Sequence, residues 1–204
     1  MIIIIVGGIG SGKSLSVVKE LIERSDKSLA YVNFTTKGIK NVVRLTMDMI
    51  LNYEVDKKGK RSPTSINFDY WANLRKENKS FSIYLDEVHN IIHSRQGMSK
   101  QNILLTKWLA QIRKVFGSAE KDHLYLITQR LGRIDVALRE LAHYIIECDK
   151  VVKGKDVWII KKVYQGVDGY NSGVHMFKSC FKGNPFFNKY DSYEFITLGN
   201  ENYL

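Results

Sequence analysis

At 204 residues, 44% hydrophobic and 25% charged, the chain has the length for one well-buried domain, not for two of ordinary size, and the composition of a soluble globular protein. No run approaches the ~18 apolar residues of a membrane span, and the two cysteines, Cys148 and Cys180, have neither metal-ligand spacing nor the density of a disulfide scaffold, so both read as reduced packing residues. A formal net charge of +10 favours polyanionic partners, nucleic acid first among them.

In chain order, residues 2 to 6 form an unbroken β-branched run, the pattern of a strand buried on both faces of a parallel sheet. The run lacks the basic flank of a signal peptide and leads straight into glycines, so a cytosolic chain is expected. A helical pattern with Leu15, Val18, Leu21 and Ile22 on one side follows, then a second strand over residues 29 to 34. Helical patterns are read near residues 44–53 and 69–77. Between them Lys57-Lys58-Gly59-Lys60-Arg61, followed by Ser62-Pro63, reads as an exposed basic loop. Residues 81 to 85 make a third strand. Apolar positions 104, 105, 108, 109, 112, 115 and 116 trace one stripe of a helix over 103–116. Strands are read at 123–128 and 144–148, and antiparallel or edge strands at 157–164 and 174–177. The aromatic-rich end, with Phe181, Phe186, Phe187, Tyr190, Tyr193 and Phe195, is expected to cover one side of the sheet. Strands alternating with helices predict an α/β fold with a mainly parallel central sheet. One domain spans 1–204, with a core over 1–150 and a β-rich extension over 151–204.

The chemistry begins at Gly7-Gly8-Ile9-Gly10-Ser11-Gly12-Lys13-Ser14. The spacing Gly-x4-Gly-Lys-Ser between a strand and a helix is that of a phosphate-binding loop. Its glycines let successive N–H groups converge on phosphate oxygens, at a helix N-terminus that adds positive potential. The expected nucleotide-binding set is Gly8, Ile9, Gly10, Ser11, Gly12, Lys13, Ser14 and Leu15. Lys13 is expected to reach the β- and γ-phosphates of ATP, and Ser14 to ligate Mg²⁺. Asp86-Glu87 ends the third strand; Asp86 is expected to hold Mg²⁺ through water and Glu87 to act as general base. Residues 86–89 read Asp-Glu-Val-His, but a helicase of that kind needs a second motor domain, so His89 is expected only to start a helix. Gln129, at the end of the strand 123–128, is expected to sense the γ-phosphate or orient the lytic water.

This combination, Gly7 to Ser14, Asp86-Glu87 after a hydrophobic strand and Thr128-Gln129-Arg130 after another, resembles the FtsK–HerA superfamily of DNA-pumping ATPases over roughly residues 1–150. The small size and the early loop are similar to viral genome-packaging ATPases, those of turreted icosahedral archaeal viruses above all. The resemblance implies a RecA-like P-loop NTPase fold and a motor that threads double-stranded DNA into a viral capsid. It further implies a homo-oligomeric, hexameric ring working against procapsid proteins in the host cytoplasm, at the assembling virion. An arginine finger from a neighbouring subunit is implied as well; Arg113 is the first candidate, with Arg75, Arg95, Arg130 and Arg133 open. Two alternatives remain. One is a filamentous-phage-type assembly ATPase of the zonula occludens toxin kind, placed second because such proteins carry a membrane span after the ATPase domain. The other is a small nucleotide kinase, disfavoured because a water-activating Glu beside the metal-binding Asp does not suit a reaction that must exclude water.

Overall fold

The β-branched run becomes strand β1 (Ile2–Val6), buried along its whole length. Ile2, Ile4 and Val6 face one core and Ile3 and Ile5 the other, which is why the run shows no polar alternation. The structure, a computed structural model, describes residues 1–77, 80–92, 99–116 and 121–191. After β1 come α1 (Lys13–Arg24), β2 (Leu29–Val32), β3 (Val42–Arg44), α2 (Met47–Ile50), β4 (Leu51–Val55), β5 (Arg61–Ile66) and α3 (Phe68–Lys76). Then follow β6 (Phe81–Leu85), α4 (Val88–Ile91), α5 (Lys100–Gln111), β7 (Leu124–Ile127) and α6 (Val136–Glu140). The chain closes with β8 (Tyr144–Lys153), β9 (Asp156–Gln165), α7 (Gly166–Ser172) and β10 (Phe177–Lys182).

Among the described residues the main sheet has the order β10-β9-β8-β1-β7-β6-β2-β3. Pairings from β8 through β3 are parallel, and β9 and β10 join antiparallel. The parallel strands therefore point their C-terminal ends at one edge, and β7 lies between β1 and β6. Helix α1 covers one face, laying Val17 and Leu21 on Ile3, Ile5, Tyr125 and Ile127. On the other face α3 and α5 bury Trp71, Leu105, Trp108 and Leu109, the stripe that the 3.6-residue period predicts. Trp71 is fully buried and sits 5.1 Å from Tyr31, 5.4 Å from Phe81 and 5.7 Å from Trp108 by ring centroids.

Three expectations are corrected. The helical pattern near 44–53 divides into the end of β3, the single turn α2 and strand β4. The deciding feature is the turn after it: Asp56 Oδ1 accepts from Lys58 N and Lys60 N, and Gly59 has φ +80°, so β4 folds back on β5 as a hairpin. The basic run is exposed as expected, but at a hairpin tip rather than between helices. The strand read at 174–177 begins only at Phe177, because Gly166 (φ +60°) and Gly173 (φ +73°) bracket the helix α7 instead. Cys148 is buried as a packing residue should be, whereas Cys180 is exposed on β10. Of the aromatic end, Phe181, Phe186 and Tyr190 gather around Leu15 and Ile159, Phe187 stays 44% exposed, and Tyr193 and Phe195 lie outside the described residues.

Trp71 anchors the face opposite α1. Trp71→Ala should lower the unfolding free energy by about 3–5 kcal/mol, the usual loss for a buried Trp, measured by denaturant titration. A loss below about 1 kcal/mol would mean that this cluster does not hold the sheet.

Candidate nucleotide-binding site

The end of β1 turns into the glycine loop because neither Gly7 nor Gly12 tolerates a side chain. A methyl group at Gly7 would fall 2.5 Å from the Cys148 carbonyl oxygen, and one at Gly12, where φ is +90°, 2.3 Å from Ile159 Cδ1. The loop therefore lies flat against β8 and β9 and delivers Lys13 to the start of α1. Lys13 is 7% exposed, and its Nζ donates to the Gly7 and Gly8 carbonyls, each at 3.0 Å. Both bonds are ones a phosphate oxygen can replace by a small swing of the side chain.

Across β7, the end of β6 brings up the acidic pair. Asp86 is 5% exposed. Its Oδ2 accepts from Ser14 Oγ at 2.9 Å and its Oδ1 from Glu87 N at 2.8 Å. Asn33, at the end of β2 and fully buried, closes the arrangement: its Oδ1 accepts from Asp86 N at 2.7 Å and its Nδ2 donates to Asp86 O at 2.9 Å. Burial pushes the Asp86 carboxyl above its ordinary pKa, and the bonds from Ser14 and Glu87 N only partly offset this.

Glu87 adopts φ +47°, a left-handed backbone that costs a non-glycine residue roughly 1–3 kcal/mol and gathers at functional sites. That turn starts α4 and points the carboxylate to the cavity. His89 Nε2 lies 3.2 Å from Glu87 Oε2, yet off the line of a hydrogen bond, so this buried oxygen has no hydrogen-bond partner among the described residues. The His89 ring also meets Thr128 Oγ1 through Nδ1 at 3.2 Å and accepts from Arg133 Nη1 at 2.9 Å. Arg133 Nη1 also reaches Gln129 Oε1, at 3.5 Å.

These ends enclose a cavity of about 760 Å³. Of the residues expected from sequence, Ile9, Gly10, Gly12, Lys13, Ser14, Leu15, Asp86, Glu87 and Gln129 line it. Ser11 is buried beneath the loop, and Gly8 borders a second cavity of about 450 Å³ that also touches Gln129. Arg113 does not line it. It lies exposed in the turn Ile112–Lys114, and nearby Phe116 packs on Phe81 at the start of β6, so Arg113 is at the far edge of the sheet. Arg75 is at that far edge too, 4.0 Å from Asp122. Arg130 is exposed beside the second cavity, and Arg95 lies outside the described residues. His89 and Arg133 are brought to the site although the sequence reading gives His89 only a helix-start role; a partner 39 positions away leaves no local spacing to detect. Also unforeseen are Lys150, Val157, Phe187 and Tyr190, which form the opposite wall. The Tyr190 hydroxyl is pushed above its ordinary pKa by burial and then by the Asp86 carboxylate.

Ser14 Oγ and Asp86 Oδ2 are hard oxygen donors side by side, the donor chemistry that suits Mg²⁺, which takes one or two protein oxygens and completes its shell with water and phosphate. Among the described residues no cluster of three acidic, His or Cys side chains offers a closed metal cage.

Residues 1–176 match the protein family described as Zonular occludens toxin (Zot). Among solved structures, the N-terminal domain of zonular occludens toxin from Neisseria meningitidis is similar at TM-score 0.55 and 17% identity, over 93% of this chain and 98% of that one. The DNA-packaging ATPase from Sulfolobus Turreted Icosahedral Virus has TM-score 0.48 at 15% identity, over 89% and 96% of the two chains. The genome packaging NTPase from Sulfolobus turreted icosahedral virus 2, in complex with ATP-gammaS, has TM-score 0.48 at 14% identity over the same shares. No curated protein matches the sequence. At these identities the likeness is one of fold. The chain has the RecA-like P-loop NTPase architecture, a mainly parallel sheet with an antiparallel C-terminal extension.

The buried Asp86 charge gives a test independent of activity. Burial penalises the ionised carboxyl, so folding bears the cost of that charge wherever Asp86 is ionised. Asp86→Asn should therefore raise the melting temperature of the nucleotide-free protein, by roughly 2–4 °C per kcal/mol relieved. The gain should shrink as pH falls through the raised pKa, where protonation relieves the same cost. An unchanged or lowered melting temperature on the alkaline side of that transition would contradict this account.

Proposed function

Since the chain belongs to the zonular occludens toxin family, we propose that it is an ATP-hydrolysing motor domain that moves DNA during phage assembly, with Mg²⁺ as cofactor. The observation that carries the reading is the junction of Ser14 and Asp86 at 2.9 Å, with Lys13, Glu87 and Gln129 on the same cavity. The loop amides and Lys13 hold the triphosphate. Glu87, which lines the cavity, takes the proton of the attacking water, and Gln129 orients that water. A Mg²⁺ ion at Ser14 and Asp86 would neutralise charge on the β- and γ-phosphates. Thr128 and Arg133 hold the His89 ring beside Glu87, and Arg133 also reaches Gln129.

The family favours the assembly setting, which the sequence reading places second. Among the described residues no helix is long and apolar enough to cross a membrane, which bears on neither setting. Packaging of double-stranded DNA into a procapsid by a hexameric ring, in the host cytoplasm, uses the same site and stands as the second reading, supported by the motif resemblance. The basic hairpin tip, with exposed Lys57, Lys58 and Lys60, suits a sequence-independent contact with the DNA backbone in either setting. Arg113 lies too far from its own chain's cavity to serve there; a finger role would need a neighbouring copy.

Glu87→Gln should keep ATP binding and lower kcat by about 10²–10⁴-fold, the share a general base supplies, while Lys13→Ala should abolish binding. DNA should stimulate hydrolysis, and its affinity should fall steeply with salt. Steady-state phosphate release and filter binding measure both, and undiminished turnover in Glu87→Gln would remove Glu87 from this role.

A further inference from the structure

We propose that Lys150 is a second phosphate-binding lysine of the nucleotide site, supplied by the same chain from outside the glycine loop. The inference rests on reading the cavity as an ATP site. Strand β8 is twice as long as β1 and pairs Glu147 with Val6, so its second half runs past the end of β1 and alongside the loop. Side chains alternate along a strand, and Cys148 marks the face that looks onto the loop: its Sγ is 3.4 Å from Ser16 Oγ, and Gly7 lies against its carbonyl oxygen. Lys150, two residues on, faces the same way. A methyl group at Gly10 would lie 3.7 Å from Lys150 Nζ, and Lys150 lines the cavity.

The position is rigidly supported. Across the antiparallel pairing, Lys150 stands beside Ile159, which is fully buried and lies under Gly12. The charge is also uncommitted. The acids of this strand, Glu147 and Asp149, alternate to the other face. Glu147 is bonded to Lys162 and Tyr164, and Asp149 Oδ1 accepts from the Lys150 backbone. Lys161, on the loop-facing side, is turned over the Phe181 ring. Lys150 makes no ion pair among the described residues. A triphosphate seated on Gly10 to Ser14 would meet Lys13 from below and Lys150 from above, and an ammonium is a point charge that tracks whichever phosphate oxygen it reaches.

The test is the affinity of Lys150→Met for ATP, ADP and AMP beside the unsubstituted chain, Lys13→Ala and Lys150→Arg. The expected result is an about tenfold weaker binding of ATP, the scale of one charged hydrogen bond. AMP affinity and melting temperature should be unchanged, and Lys150→Arg should restore most of the ATP affinity. ATP binding by Lys150→Met equal to that of the unsubstituted chain would overturn the proposal while leaving the site intact. An equal loss for AMP would also overturn it, since the effect would then lie at the nucleoside or its α-phosphate and not at the phosphates beyond it that Gly10 to Ser14 would cradle. Failure of the unsubstituted chain to bind ATP would overturn the reading of the cavity and this inference with it.

Discussion

A carboxylate buried at the end of β6 is the constraint on which the site depends. Asp86 is costly there unless its neighbours compensate it: Ser14 of α1 and the Glu87 amide of its own turn bond the carboxylate, while Asn33, just after β2, holds the Asp86 backbone. The arrangement works in one register only. β6 pairs Tyr84 with Val32 and Leu85 with Leu126. A slip by one residue would turn Asp86 to the opposite face, lose the Ser14 bond and leave the charge uncompensated. The same bonds that position the acid therefore specify the sheet, and the residual cost that they do not cover is what a cation arriving with phosphate would relieve.

The glycine loop is legible in the sequence because its geometry is local: Gly7 and Gly12 have no room for a side chain, and the lysine and serine follow at fixed spacing. Asp86-Glu87 and Gln129 are legible for a related reason, since each is a polar break after a buried strand. That all of them share one cavity follows from one topological fact, that β1, β7 and β6 are parallel and adjacent. The sequence could suggest parallel strands but not their order. The insertion of β7 between the other two, which sets Gln129 between the loop and Glu87, is visible only in the fold.

What escaped the sequence depends on pairings between distant segments. Residues 44–53 have a period that suits a helix, yet Asp56 and Gly59 build a turn that favours the β4–β5 hairpin, and pairing overrides the local preference. His89 looks like an ordinary residue of a short helix until Thr128 and Arg133 are placed beside it. Lys150 belongs to the same class. Its meaning comes from β8 overshooting β1, and strand length beyond a partner's end is not written in either strand alone.

The antiparallel extension is accordingly a wall of the site rather than an appendage to it. After β10, the segment Asn184–Lys189 crosses α1 and docks at the far side of the cavity, where Lys37 N donates to Lys189 O and Thr36 pairs with Tyr190. On the way Phe181, Phe186 and Tyr190 pack around Leu15 and Ile159. Leu15 directly follows Ser14 in the first turn of α1, the turn whose amides must stay ordered to hold phosphate, and helix ends fray unless something fixes them. Ile159 reaches the same turn from beneath Gly12. The loop that the first residues encode is thus held in its working shape by side chains from the last described part of the chain, and a site so distributed cannot be excised with the parallel core alone.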